Sequence, residues 1–342
     1  MRAAIYNPYL DTLGGGERYT LSFAKVLTDL GWQTDLEWKD LGILKSLSER
    51  FGMDLSGINI VEDVKKGDGY DLCFWVSDGS VPLLHGRNNI LHFQVPFHNV
   101  GGKSLLNKMK FFRINKIVCN SRFTKEIIDK EYGVDSIVIY PPVGIENIKP
   151  KRKENIILYV GRFSKILQSK RQDVLIKAFK KIYNNGFSDW KLILAGGAEV
   201  GNDGCVDELE KLSENYPIEI LVSPSYKELK DLYGKAKFFW SAAGFEENET
   251  KNPEKVEHFG ITVVEAMAGG AVPVVYNAGG YKEVVENGKT GFLWNRTSEL
   301  TRFTTSLAED PKSFREMQVH IKERAKKYDY NIFKERIKEI LK

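Results

Sequence analysis

Glu257-His258-Phe259-Gly260-Ile261-Thr262-Val263-Val264-Glu265-Ala266-Met267-Ala268-Gly269-Gly270 leads into Val272-Pro273-Val274-Val275-Tyr276. A glycine opens a short apolar helix, and a buried-strand run follows it. That is one step of an alternating α/β series. Two carboxylates stand eight positions apart on either side of the opening glycine. Glu257 lies in the loop. Glu265 lies about one turn inside the helix, on or beside the face of Ile261, Met267 and Ala268. The helix start between them leaves backbone amides without intrahelical partners, a place where anions bind. Two hydroxyl acceptors thus flank a phosphate site, a combination that suits a sugar joined to a nucleotide through diphosphate. Taken alone, the stretch also reads as a helix with two solvated acids.

Working outward, the same rhythm fills the chain. Ile156–Val160, Trp190–Ala195, Ile218–Val222 and Phe238–Trp240 are further apolar runs before Val272. Ahead of them, Ala3–Tyr6 is followed by a Gly-rich turn and a helical pattern from Arg18 to Leu30. Asp71–Val76, Asn89–Phe93, Lys116–Cys119 and Ser136–Tyr140 read as strands, and Asn120 or Ser121 caps a helix running to Lys130. The stretch from Gly144 to Asn155 turns polar and charged and is the best linker candidate. The expected fold is α/β: two doubly wound, Rossmann-like domains (1–145 and 146–328) facing a central cleft, with ligands at the carboxyl ends of the strands. A tail, 329–342, carries a helical stripe of Ile332, Phe333, Ile337, Ile340 and Leu341 and is expected to pack back towards the first domain. No solenoid-period repeat and no low-complexity segment interrupts this pattern.

Composition agrees with a two-domain globular chain: 342 residues, 42% hydrophobic and 28% charged. A net charge of +4 permits an anionic ligand or membrane surface but lacks the concentrated basic stripe of a nucleic-acid binder. Cys73, Cys119 and Cys205 are scattered, without metal spacing, and read as reduced thiols of a cytoplasmic protein. The first strand begins at once, with no signal-peptide core. No apolar run approaches the ~18 residues that span a bilayer, so any membrane contact is expected to be peripheral.

Several further residues could carry chemistry. Gly14-Gly15-Gly16-Glu17-Arg18 follows the first strand; its glycines let backbone approach an anion, although such turns are often structural. Arg162, just past Ile156–Val160, and Lys170, before the next helix, could clamp a diphosphate or be solvated cations. No DxD triplet occurs, so no metal is expected and Arg, Lys and helix amides would meet the diphosphate charge. His92 ends a strand and could bond a sugar hydroxyl, although a lone histidine is more often structural. The basic segment 103–116 has apolar residues at Leu105, Leu106, Met109 and Phe112. It reads first as a core-packed helix, second as a peripheral membrane contact. The acidic loop 245–256 reads as solvated, with gating as the alternative.

Together these residues resemble the retaining GT-B glycosyltransferases of family four, over nearly the whole chain. Gly14–Arg18, Asn120–Thr124 and Tyr140–Val143 are similar to the family's N-domain signatures. Arg162 with Lys170 resembles its diphosphate clamp, and Glu257 to Glu265 its E-x7-E motif. Ala278-Gly279-Gly280, Glu283–Val285 and Gly288–Leu293 continue the pattern. The wording around the motif also resembles the eukaryotic lipid-linked mannosyltransferases. The resemblance implies a hexosyltransferase that takes a nucleotide diphosphate sugar, GDP-mannose first and UDP-glucose second, to a hydroxyl of a glycan, lipid-linked or small-molecule acceptor. It implies that Glu265 holds the ribose and Glu257 the sugar hydroxyls, with His258, Phe259, Gly260 and Ile261 lying against sugar and phosphate. It implies that Arg162 and Lys170 neutralise the diphosphate, Gly15 and Gly16 close on it from the other domain, and His92 contacts the sugar. A non-catalytic binding relative, or a GT-B epimerase or phosphorylase, is the alternative. Two departures stand out. Arg162 and Lys170 are eight positions apart rather than the usual five, which makes Lys165 the rival cation, and the 245–256 loop is long.

Overall fold

The computed structural model describes residues 1–12, 14–164, 170–197 and 203–342. The chain forms two compact units, Met1–Pro142 with Tyr330–Lys342, and Val143–Asp329.

The first unit opens with β1 (Arg2–Tyr6), α1 (Gly15–Asp29), β2 (Gln33–Glu37), α2 (Ile43–Phe51) and β3 (Ile58–Val61). It continues through β4 (Leu72–Val76), β5 (Asn88–Phe93), α3 (Leu105–Phe111), β6 (Lys116–Cys119), α4 (Arg122–Tyr132) and the two-residue β7 (Ile137–Val138). Among the described residues these strands form one sheet in the order β3-β2-β1-β4-β5-β6-β7, with every pairing parallel. Strand order reverses between β1 and β4, the switch point where an open parallel sheet leaves room for a ligand. The expected strand at Ser136–Tyr140 shrinks to two residues. β2 and β3 escape a hydrophobic reading because β2 buries Thr34 and Asp35. The Asp35 carboxylate accepts from the Tyr70 hydroxyl at 2.9 Å and from Asn59 Nδ2 at 3.1 Å. At the start of α4, Ser121 Oγ accepts from Thr124 N at 3.0 Å, the expected cap.

The second unit runs β8 (Glu154–Val160), α5 (Gln172–Tyr183), β9 (Lys191–Gly196), α6 (Asp203–Ser213), β10 (Ile218–Val222) and α7 (Tyr226–Lys235). Then come β11 (Ala236–Ser241), α8 (Ile261–Ala268), β12 (Val272–Tyr276), α9 (Tyr281–Val284), β13 (Phe292–Trp294), α10 (Thr297–Ala308) and α11 (Pro311–Lys326). Its described strands form a parallel sheet in the order β10-β9-β8-β11-β12-β13, so the switch point lies between β8 and β11. Phe179, Leu192, Phe238, Trp240, Val274 and Trp294 are buried around it. The chain then returns to the first unit as α12 (Tyr330–Leu341). Its Phe333 and Ile337 complete the core that contains Tyr19, Phe23 and Phe74.

The polar stretch before β8 is more than a tether. Lys153 Nζ donates to the carbonyl oxygens of Gly234 at 2.8 Å, Ala236 at 2.8 Å and Gly269 at 2.6 Å. This ammonium ties the end of α7 to the end of α8, matching the negative pole of each helix. Burial, with a smaller contribution from Lys322, lowers its pKa to about 7.

Candidate active site

The carboxyl end of β8 and the start of α8 bring four of the expected residues together. Lys170, just ahead of α5, donates to Glu257 Oε2 at 2.8 Å, and both side chains are mostly covered, at 13% and 20% exposure. The Tyr281 hydroxyl lies 3.4 Å from the same oxygen and 2.6 Å from Ser241 Oγ. Burial alone would raise the Glu257 carboxyl. The Lys170 ammonium, helped by His258 and the Tyr281 hydroxyl, outweighs it and holds the group below the usual carboxylate range. Glu257 is therefore an anion at neutral pH, ready to accept from hydroxyl groups.

Arg162 is exposed at the surface. Its backbone is fixed from beneath, because Gln172 Nε2, at the start of α5, donates to the Arg162 carbonyl at 2.9 Å and to the Tyr159 hydroxyl at 3.3 Å. Tyr159 is fully buried. Burial, then Glu257, raises its pKa well above the ordinary value, while Arg162 pulls it down. Arg162 and Glu257 thus act on one hydroxyl with opposite sign. Gly161 leaves room for that hydroxyl, since a Cβ there would sit 2.3 Å from it.

Gly260 caps α8 in the left-handed region at φ 101°, where a side chain would be strained and would meet the Tyr281 ring at 2.8 Å. This turn swings the chain from Glu257 into the helix, so the first amides of α8 start beside Glu257. Glu265, buried one turn on, accepts from the Tyr233 hydroxyl at 2.8 Å. Gly279 and Gly280 back the same loop: a Cβ on either would fall 2.1 Å from the Glu257 carbonyl or 2.4 Å from that of His258. His258 Nε2 lies 3.2 Å from the Glu254 carbonyl oxygen, and Phe259 packs edge-on against Tyr328 at 5.2 Å. Ile261 is the first helical residue, half-buried. Lys165, the rival cation, lies outside the described residues.

The acidic loop is pinned, which corrects the expectation of a solvated segment. Glu249 accepts from Gly279 N at 2.8 Å and pairs with Lys282 at 2.6 Å. Glu246 pairs at 3.1 Å with Arg171, the residue after Lys170. Two carboxylates of the loop thereby hold the two segments that position Glu257.

The first-unit candidates are placed differently. Gly15 and Gly16 are not loop residues; they form the first turn of α1, capped by Gly14, whose N–H donates to Glu17 Oε2 at 2.5 Å. A Cβ on Gly16 would meet the end of the Gln94 side chain at 2.1 Å, so Gln94 would have to turn aside. His92 has no accessible surface. Its Nδ1 lies 3.1 Å from the Val118 carbonyl, and its ring stacks on Tyr19 at 4.1 Å. Burial lowers its pKa to about 3, so it is neutral, with Nδ1 as the donor. The expectation that His92 presents itself to a sugar does not match this burial. Among the described residues neither His92 Nε2 nor the Tyr19 hydroxyl has a hydrogen-bond partner.

Sequence reasoning overlooked Tyr159, Tyr233, Tyr281, Ser241 and Gln172. Tyr159 and Tyr233 sit in apolar periodic runs and read as core. Tyr281 carried a usable signal, since it directly follows Ala278-Gly279-Gly280.

Comparison with known proteins gives the fold and the family. An uncharacterized glycosyltransferase of Methanocaldococcus jannaschii is 26% identical over 359 residues, covering 96% of this chain and 93% of that one. A Dictyostelium discoideum GDP-Man:Man(3)GlcNAc(2)-PP-Dol alpha-1,2-mannosyltransferase is 28% identical over 211 residues, 57% of this chain and 39% of that protein. Its Mus musculus counterpart is 30% identical over 180 residues, with 46% and 33% covered. The matched region thus spans well under half the length of these eukaryotic relatives. A glycosyltransferase structure from Rickettsia africae superposes with a TM-score of 0.78 at 20% identity, covering 100% of this chain and 98% of that one. Anabaena HepE bound to UDP-glucose gives 0.76 at 18% identity, covering 100% and 99%. At such identities the likeness concerns the fold, which is GT-B. The model of the family described as glycosyl transferases group 1 matches residues 145–328, more than half of the chain and nearly all of the second unit. The chain belongs to the glycosyl transferases group 1 family.

Proposed function

We propose that the protein transfers a hexose from a nucleotide diphosphate sugar to an acceptor hydroxyl, with retention of configuration and without a metal ion. One observation carries the reading: Glu257 and Glu265 flank the Gly260-opened start of α8, with Lys170 already paired to Glu257. In this reading the diphosphate lies at the helix start, where amides and dipole favour an anion. Arg162 and Lys170 face it, Glu265 accepts from ribose hydroxyls, and Glu257 accepts from hydroxyls of the sugar. Lys170 exchanges partners: it is held by Glu257 before donor arrives and turns to phosphate afterwards. Negative charge grows on the diphosphate as the bond from its oxygen to the anomeric carbon breaks, and fixed cations and amides stabilise that charge. The acceptor oxygen then bonds the same face, and its proton passes to the departing phosphate oxygen. Glu257, tied to Lys170 and Tyr281, suits a hydroxyl acceptor better than a covalent nucleophile.

GDP-mannose is the first donor assigned, by likeness to the mannosyltransferases named above, and UDP-glucose the second, by likeness to HepE. The acceptor assigned is a hydroxyl of a glycan or lipid-linked glycan. A thermal-shift screen of GDP, UDP and ADP sugars tests the site directly, because a ligand at 100 times its Kd adds ~2.7 kcal/mol of stability. The expected result is a rise in Tm, largest with GDP-mannose, and turnover that survives EDTA. No shift with any nucleotide sugar at saturation would sink the proposal.

A further inference from the structure

The short helix α3 is built inside out. Its apolar stripe, Leu105, Leu106, Met109 and the capping Phe112, stands at i, i+1, i+4 and i+7, the spacing of one helix face. That face points to solvent: the four residues are 76%, 62%, 60% and 90% exposed, and no residue of α3 is buried. The core-packed reading of this segment is therefore overturned. Two neighbouring cations, Lys110 and Arg113, bond backbone instead. Lys110 Nζ donates to the Val81 carbonyl at 2.7 Å, and Arg113 Nε to that of Leu84 at 3.2 Å. Leu83, in the loop those two cations grip, is 45% exposed as well.

The helix is held firmly in this pose. Glu131 accepts from the amides of Asn99, Val100 and Gly102 at 3.0–3.1 Å, which fixes the approach to α3, and Ser104 caps it. A surface segment that leaves four large apolar side chains in water while Lys110 and Arg113 anchor it to backbone carbonyls is shaped for an apolar medium outside the protein.

Charge says which medium. From Gly79 to Lys125 there is no Asp or Glu, against eight Lys and Arg. That exceeds the whole chain's net charge of +4, so the remainder is net acidic and the basic character is concentrated here. Lys103, Lys108 and Lys116 are exposed around the apolar stripe. A second copy of this chain meeting the same face across a two-fold axis would bring like charges together. We propose that this face docks onto an anionic lipid bilayer, with the four apolar side chains entering the headgroup–acyl boundary and the lysines meeting lipid phosphates. None of the described helices is long and apolar enough to cross a membrane, so α3 lies in the interface plane.

The test uses the full chain and no donor, so its outcome is independent of the proposed reaction. Sedimentation is measured with vesicles of phosphatidylcholine alone and with roughly one third phosphatidylglycerol, at ~0.05 M and ~0.5 M salt. Binding is expected to the anionic vesicles, weakened by salt, and absent from the neutral ones. Met109→Glu/Phe112→Glu is expected to lower the partition coefficient at least ~10-fold. Because both residues are exposed, its Tm stays at the wild-type value, which separates lost docking from lost folding. Lys108→Glu/Lys116→Glu, with the stripe intact, is expected to abolish the preference for anionic vesicles. Failure of the wild type to sediment with anionic vesicles at low salt overturns the proposal. So does undiminished binding by the Met109/Phe112 variant. A wild-type dimer in solution that this variant dissociates would assign the face to a protein partner and equally overturn it.

Discussion

At the carboxyl end of β1 the polar side chains turn inward, whereas at the carboxyl end of β8 they stand near the surface and carry charge. Both places are switch points of a parallel sheet, with a glycine-bearing turn leading into a helix. In the first unit, Glu17, Arg18 and His92 are buried, and Gly16 lies against the end of the Gln94 side chain. In the second, Arg162 is exposed, Lys170 and Glu257 form a partly covered ion pair, and Gly260 exists to aim a helix start. One architecture thus serves packing in one unit and presents charge in the other. Glycine alone does not say which. What distinguishes them is that His92 loses its charge to burial, whereas Glu257 keeps its charge because the Lys170 ammonium stands beside it.

The largest effect should come from breaking the charged side. Lys170→Ala should lower kcat by 10²–10³, about 2.7–4 kcal/mol of barrier, as for other lost charge-stabilising groups. Without the ammonium, burial pushes the Glu257 carboxyl upward, so the acid limb of the pH–rate profile should move to higher pH. Wild-type turnover, or an unmoved acid limb, would remove Lys170 from the site.

The inward side should answer in stability instead. His92 has a folded pKa of about 3 against an ordinary value of 6.5. On acidification the unfolded chain takes up this proton first. The group's contribution is therefore constant above about pH 6.5 and falls as pH drops below it, at up to ~1.4 kcal/mol per pH unit. By pH 5 this amounts to about 2 kcal/mol. Urea unfolding at pH 7 and pH 5 should show this difference between wild type and His92→Phe; an equal acid loss in both would show that His92 is not neutral and buried.

The smallest effect should sharpen the comparison at its edge. Glu249→Gln weakens the hold on Gly279 and Lys282 and should cost about 1 kcal/mol, discounted because the pair is one-third exposed. The donor KM should rise more than kcat falls, since the residue positions Glu257 through Gly279–Gly280 rather than touching substrate. A kcat loss as large as that of Lys170→Ala would instead place Glu249 at the reaction.

Much of this was readable in the residues. The run Val272–Tyr276 is apolar throughout because a parallel sheet is covered on both faces, and it marks its strand to the residue. The helix start at Gly260 followed from one glycine before an apolar run. β13 is only three residues long and too brief for a pattern. Tyr233 and Tyr281 resisted reading because a tyrosine is mostly ring: its body satisfies the core pattern while its hydroxyl reaches a carboxylate that only the fold brings near. The α3 stripe resisted for another reason. Periodicity tells which residues share a face, and gives no information about whether that face meets protein or something else.

The return of α12 to the first unit also sets an order of events during synthesis. Phe333 meets Tyr19 edge-on at 5.2 Å, and with Ile337 it closes the core of a sheet whose strands end at Val138. At ~5–20 residues per second, those strands leave the ribosome on the order of ten seconds or more before residue 330 does. The second unit, continuous in sequence, is made in that interval while the first waits with an open apolar face. A chain truncated after Asp329 and released should therefore be cut by protease within residues 1–142 and resist it within 143–329; equal resistance in both halves would show that the first unit closes without its final helix. An element distant in sequence thus makes the first unit to emerge the last to mature.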